Sequence, residues 1–201
     1  MRYIQLQFIF TAFYVLLAIS AAIADDKHSD KQMDPREMME VYTKLATPGK
    51  PHELMASLTG SWTTKTKEWM DPQKPFIEST GTADIKMLLD GRYLQQEITG
   101  TMHEKPFSAI WTIGYDNLLK QYVSTWISTM STGVFMMDGT ASEDGKIITF
   151  KGQHAEVGGG QMTHRAIWKI IDSNSQEFVM YGTHHGGQEM KMLETTYSRK
   201  Q

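Results

Sequence analysis

The sequence contains no cysteine, so the chain forms no disulfide, no thiolate metal site and no lipid-modified cysteine. Its 20 basic and 23 acidic residues form no basic stripe, which argues against a nucleic-acid partner. A Gly-x-Ser-x-Gly nucleophile elbow is also missing, and Gly158-Gly159-Gly160 follows no nucleotide-binding pattern. The side chains of the adjacent His184 and His185 would point to opposite faces of a strand and could not easily bind one ion, so a zinc site is not supported. These absences leave no local signature of an enzyme.

The first residues predict an export signal. After Arg2 no charged residue appears from Tyr3 to Ala24, and Ala22-Ile23-Ala24 has the small-x-small form of a cleavage site. We expect cleavage after Ala24, which gives a signal peptide over 1–24 and a periplasmic or extracellular protein. An uncleaved anchor is the alternative, since an uncharged stretch of about 20 residues just spans a bilayer. Cleavage would remove only Arg2 among charged residues and leave a net charge of −4, with no stable membrane insertion expected.

Two helices are predicted before the strands begin. Residues 25–33 are polar and are expected to form a flexible leader. Asp34-Pro35 is typical of a helix start, and a second short helix is expected from Pro51 to Leu58. Because apolar residues recur at helical spacing, we expect residues 34–58 to form a plug at one end of the following domain.

Before residue 59 the hydrophobic residues recur at helical spacing. From residue 59 to 201 they recur at every second position, as in a β-strand. Alternating segments separated by turn residues such as Asp90-Gly91 and Asp144-Gly145 predict one antiparallel up-and-down meander. The predicted strands cover residues 61–70, 77–89, 92–103, 107–115, 120–130, 133–141, 146–154, 161–171, 176–185 and 188–199. A meander of this length closes most economically into a barrel of roughly ten strands around a lumen.

Four sequence blocks indicate a family. They are Leu58-Thr59-Gly60-Ser61-Trp62, Leu89-Asp90-Gly91-Arg92, Gly114-Tyr115-Asp116 and Glu194-Thr195-Thr196-Tyr197-Ser198-Arg199. In this order they resemble the bacterial family named domain of unknown function 1579, and the Gly-x-Trp start is similar to that of lipocalin-like proteins, the calycins. The resemblance implies an all-β, calycin-like barrel and no established activity. It also implies that Arg199, on the last strand, lies across Trp62 and closes one barrel end.

We expect the barrel to bind a small apolar or amphipathic molecule, because its predicted inner face is rich in aromatic residues and methionine. The predicted lumen residues are Trp111, Trp126, Ser128, Phe135, Met137, His164, Trp168, His184, Met190 and Glu194. His164, His184 and Ser128 would supply the polar contacts. Ligand identity and oligomeric state are not determined by the sequence.

Three alternatives remain open at this stage. An enzyme would use Glu68, Glu194 or an inner histidine as a base on a lipid-like or isomerisable substrate. A haem-binding barrel, as in the related nitrobindins, would take His184 as its first candidate ligand to iron and His164 as its second. A structural or protein-binding module would have a lumen filled by its own side chains. No cofactor is expected if the protein is a small-molecule-binding barrel.

Overall fold

The computed structural model describes residues 33–102, 105–185 and 187–201. The predicted signal peptide and most of the predicted leader lie outside these residues. The chain divides into two compact units, with the boundary in sequence between residues 41 and 42, and the strands of the described residues all belong to the second unit. Among the described residues, no helix is long and apolar enough to cross a membrane.

The strands form a closed antiparallel barrel in which each strand pairs with its neighbours in sequence and β1 pairs with β10. The elements are α1 Pro35–Ala46, α2 Lys50–Ala56, β1 Gly60–Glu68, β2 Ile77–Leu88, β3 Tyr93–Met102, β4 Lys105–Asp116, β5 Gln121–Ser128, β6 Phe135–Ala141, β7 Ile147–Ala155, β8 Gln161–Ile170, β9 Ser175–Thr183 and β10 Met190–Arg199. The predicted fold class, an all-β meander of ten strands closed into a barrel, is confirmed.

Helix α2 covers one end of the barrel, here called the α2 end. Its N-terminus is fixed by His52, whose Nδ1 accepts the Gly49 backbone N–H at 3.0 Å. Met55 and Leu58 are fully buried, and α2 contacts β2, β3 and β4. Burying such apolar side chains contributes about 1.5–3 kcal/mol each.

The predicted contact between Arg199 and Trp62 is present at the α2 end. The guanidinium carbon lies 4.3 Å from the centre of the indole ring, within the range of a cation–π interaction. The Trp62 indole N–H donates to the carbonyl of Leu58 at 3.0 Å. Gly60 has a φ of +122°, and a Cβ there would lie 2.8 Å from Nη1 of Arg199. This close approach gives a physical reason for glycine at the start of the Gly-x-Trp block.

A β-bulge interrupts β10. Lys191 pairs with Tyr181, but the next paired residue is Leu193, opposite Met180, so Met192 is an extra residue. The bulge shifts the alternation, so that Leu193, Thr195 and Tyr197 line the interior. The sequence prediction carried a strict period of two through β10 and placed Glu194 inside. That placement is wrong, because one inserted residue moves every later side chain to the other face.

The two halves of the barrel differ in their interior. The half next to α2 is a packed apolar core that includes Trp62, Ile113, Ile148, Phe150 and Trp168, all essentially inaccessible to solvent. The half at the other end, here called the far end, holds a cavity.

Candidate functional site

The far half of the barrel contains a partly open cavity of about 400 Å³. Its walls are the inward faces of the far ends of most strands, together with the loop between β5 and β6. The lining residues are Thr64, Thr66, Ile98, Met102, Phe107, Trp111, Trp126, Ser128, Ser131, Gly133, Val134, Phe135, Met137, His154, His164, Phe178, Met180, Leu193, Thr195 and Tyr197. No lysine, arginine, aspartate or glutamate is among them. The volume and the apolar wall are typical of a small-molecule pocket.

Trp111 separates the cavity from the packed core. Its ring makes edge-to-face contacts with Phe178, Trp168 and Phe150, at centroid distances of 5.1, 5.3 and 5.9 Å. These partners lie on β9, β8 and β7, so the indole reaches across the barrel from β4. Edge-to-face aromatic pairs contribute about 0.5–1.5 kcal/mol each beyond the area they bury. The base of the cavity is therefore closely packed.

Aromatic rings and hydroxyl groups share the cavity wall. Phe107 and Trp126 stack at 6.3 Å with an interplanar angle of 25°. Thr66 and Thr195 are joined by a hydrogen bond of 3.0 Å between their hydroxyl groups, which links β1 and β10. Such a wall offers mostly apolar area with a few polar atoms.

A pair of histidines lies in the wall formed by β7 and β8. The rings of His154 and His164 stack at 4.9 Å, and Nε2 of His164 and Nδ1 of His154 are 2.9 Å apart. Phe135 packs edge-on against His164 at 5.0 Å. Burial lowers the pKa of His164 to about 4, and the nearby His154 and His184 act in the same direction. His164 is therefore neutral at pH 7.

His184 does not line the cavity. Strand β9 ends at Thr183, so His184 begins the turn to β10, where its side chain is 58% exposed and bonds Glu156 through Nδ1. The strand prediction ran to residue 185 and therefore placed His184 inside.

The two histidines predicted as candidate haem ligands differ in position. His184 lies outside the cavity wall, whereas His164 lines the cavity and its Nε2 is engaged by His154. No group of three histidine, aspartate or glutamate residues that could hold a metal ion occurs within the described part of the chain.

The structure brings six of the ten predicted lumen residues to the cavity. These six are Trp111, Trp126, Ser128, Phe135, Met137 and His164. Trp168 points inward as predicted but lies in the core beneath Trp111. Met190 is the first residue of β10, opposite Gly182, and is half-buried outside the cavity wall.

Glu194 faces outward and bonds Lys191 and Lys67. The second of these ion pairs is 3.7 Å long. The hydrogen bond from Lys191 is the main cause of the lowered pKa of Glu194. Glu68 is opposite Leu193 in the register, whereas Glu194 is opposite Lys67. The predicted carboxylate pair is therefore not formed, because the two residues lie on different faces of the sheet.

Of three polar side chains next to the cavity floor, Trp111 was a predicted lumen residue, whereas Gln96 and Ser124 were not. Gln96, Ser124 and the indole nitrogen of Trp111 are buried, and each has polar atoms without a hydrogen-bond partner. The signal for Gln96 was its position between Leu94 and Ile98 at a spacing of two, which places all three on one face of β3.

The fold and the cavity define a class: a closed antiparallel β-barrel with an internal, mostly apolar cavity at one end. Within that class, the chain belongs to the family described as protein of unknown function DUF1579, whose model matches residues 47–199.

Solved structures support the fold. The crystal structure of Rv2717c from M. tuberculosis is 13% identical and superposes with a TM-score of 0.56, covering 77% of this chain and 100% of that one. A redesigned β-barrel, also 13% identical, covers 73% of this chain and 95% of its own, but its TM-score of 0.39 carries no argument. No curated protein matches the chain by sequence.

Proposed function

We propose that this protein is a small-molecule-binding barrel that holds an apolar or amphipathic ligand in the far-end cavity. The observation that carries the proposal is the cavity of about 400 Å³ with aromatic and methionine walls. Transfer of apolar ligand surface from water into such a site is favourable by about 25 cal/mol per Å². The alternative of a structural module requires a lumen filled by the protein's own side chains, and only the α2 half of the barrel is filled in this way.

Catalysis gains less support than binding. The predicted carboxylate pair is absent, since Glu194 faces Lys67 and Lys191 outside the barrel. A pKa of about 4 makes His164 a weak base at neutral pH. The same histidine suits a neutral hydrogen-bonding role in the wall.

Binding is tested with the fluorescent probe N-phenyl-1-naphthylamine, whose emission rises in apolar surroundings. Two substitutions on β5 form a matched pair: Ser128 lines the cavity, whereas its neighbour Ile127 is 43% exposed on the opposite face. We expect one probe per chain, weakened about tenfold or more by Ser128→Phe, which fills the cavity, and unchanged by Ile127→Phe. Failure of the native protein to bind, or equal binding by both variants, would contradict the proposal.

We also propose that the protein works outside the cytoplasm, after cleavage behind Ala24. The support is the uncharged segment from Tyr3 to Ala24 and its small-x-small end. N-terminal sequencing of the protein recovered from fractionated cells tests this. The expected result is a chain that begins at Asp25 in an envelope or extracellular fraction, and an intact N-terminus in the cytoplasm would contradict it.

A further inference from the structure

Two neighbouring side chains beneath the cavity have polar atoms without a partner. Gln96 is completely buried, and neither its amide nitrogen nor its amide oxygen makes a hydrogen bond. The indole N–H of Trp111, which is 2% exposed, also has no acceptor. An unpaired buried polar group costs about 1–3 kcal/mol. Two such residues side by side therefore require an explanation.

The register places these groups together. Gln96 on β3 lies directly opposite Trp111 on β4, so their Cβ atoms are about 5 Å apart. Ser124, whose hydroxyl also has no partner, shares the inward face of β5 one level nearer α2. The next inward residues toward the far end, Ile98 and Trp126, line the cavity. We call Gln96, Trp111 and Ser124 the polar floor.

Other buried tryptophans of this barrel are satisfied. Trp62 donates to the Leu58 carbonyl at 3.0 Å, and Trp168 donates to the side-chain oxygen of Gln176 at 2.9 Å. Gln176 thus leaves only its nitrogen unpaired, whereas Gln96 leaves both atoms. Of these three indoles, the one without an acceptor is the one that borders the cavity. Gln96 and Ser124 lie behind the cavity lining, and the unpaired polar atoms of all three residues have almost no exposed area.

We propose that the polar floor binds the uncharged, hydrogen-bond-accepting head group of an amphipathic ligand, with the Trp111 indole and the Gln96 amide turning toward the cavity to reach it and the apolar tail directed toward the far end. An indole N–H can only donate, so the ligand must present an oxygen acceptor, while the Gln96 amide can donate or accept. With no lysine or arginine among the lining residues, an ionised head group would lose its hydration without a counter-charge. An alcohol, ketone or amide therefore fits better than a carboxylate. This inference rests on the proposed function and names the ligand class.

Competition against N-phenyl-1-naphthylamine at pH 8 tests the head group directly. The competitors are 1-decanol, decanoate and decane, which share a ten-carbon chain. We expect 1-decanol to bind about tenfold more tightly than decane, the value of one or two neutral hydrogen bonds, and decanoate to bind more weakly than 1-decanol. Equal binding of 1-decanol and decane would overturn the inference and indicate that ordered water satisfies the polar floor. Decanoate binding as tight as that of 1-decanol would also overturn it.

The substitution Gln96→Met separates the head-group contact from the cavity. Methionine is similar in length and shape and has no strong hydrogen-bonding group, so probe binding should persist. We expect the tenfold preference for 1-decanol over decane to disappear in this variant. If the preference remains, Gln96 does not contact the head group and the inference fails. If the native protein binds no probe at all, the proposed function fails first.

A spectroscopic readout distinguishes direct contact from a general effect on packing. In ¹H–¹⁵N spectra, the indole N–H resonance of Trp111 should move downfield when 1-decanol is added and much less with decane. The indole of Trp168, already bonded to Gln176, is the internal control and should stay nearly fixed. Equal shifts of the two resonances, or no shift of Trp111 with 1-decanol, would contradict a bond from Trp111 to the ligand.

Discussion

Arg199 joins three segments at the α2 end. Its guanidinium donates to the carbonyls of Thr59 at 2.5 Å, Ser173 at 2.6 Å and Ser57 at 2.9 Å, and it lies over Trp62. These carbonyls belong to the residue before β1, the turn between β8 and β9, and the residue that follows α2. A planar group with five donors suits this task, and a single ammonium group does not.

Replacing Arg199 with lysine should lower the free energy of unfolding by about 2 kcal/mol, because two or more charge-assisted hydrogen bonds are lost while the charge remains. Arg92→Lys is the matched control. Arg92 donates to the carbonyl of Leu89 at 3.0 Å and forms an exposed ion pair with Asp90 at 3.9 Å, so its replacement should change stability by less than about 0.5 kcal/mol. Urea unfolding of both variants measures the difference. Equal effects would show that the three-carbonyl contact adds no stability.

His164 makes stability dependent on pH. Its pKa is lowered from 6.5 to about 4 by burial, so between these values the unfolded chain binds more protons than the folded one. The free energy of unfolding therefore falls as the pH drops through this window, by about 2 kcal/mol from pH 7 to pH 4.5. His52, whose pKa is also lowered by burial, acts in the same direction.

The substitution His164→Gln isolates this contribution, since all other titrating groups are retained. Urea unfolding at pH 7 and pH 4.5 should show a loss of stability that is about 2 kcal/mol smaller in the variant than in the native protein. The same loss in both proteins would mean that His164 is not the group responsible.

At the level of elements, the strands were predictable from sequence because a sheet with one buried face imposes a period of two. All ten predicted strands correspond to strands of the barrel, and α2 lies within one residue of the predicted start. The errors arise where that period is interrupted. The bulge at Met192 moved Glu194 to the outer face, and the end of β9 at Thr183 left His184 in a turn.

Six of the ten predicted lumen residues line the cavity, and a further source of error for the others is depth along the barrel. Alternation tells which face a residue occupies, and it placed Trp168 correctly inside. It does not tell whether that level of the barrel is packed or open, because this depends on side chains from strands distant in sequence. Trp111, for example, defines the cavity floor through partners on β7, β8 and β9. Gln96 was missed because the sequence does not show that it lies next to this cavity floor.

The bulge in β10 predicts how the strand tolerates deletions. Removing Met192 should leave the register of Leu193 to Arg199 intact, because Met192 is the unpaired residue. Its carbonyl accepts the Trp69 N–H at 2.8 Å, so a cost of about 1–3 kcal/mol is expected. Removing Thr196 instead would move Tyr197 to the other face and separate Arg199 from Trp62. Thermal unfolding should show a cooperative transition only for the Met192 deletion. A folded Thr196 deletion would contradict this account of the register.

At the scale of the whole molecule, the barrel combines a rigid half and an open half. Helix α2, Trp62 and Arg199 close and stabilise one end, while the other keeps a cavity of about 400 Å³ between aromatic walls. A close-packed interior normally leaves few voids larger than a water molecule. A cavity of this size is therefore the feature that binding explains best.

Native mass spectrometry of the protein recovered from its own cell, with no ligand added, tests this central claim most directly. The account predicts a discrete adduct with one small, uncharged amphipathic molecule per chain, reduced in the Ser128→Phe variant and retained in Ile127→Phe. A mass equal to that of the bare polypeptide, both as recovered and after incubation with 1-decanol, would contradict it.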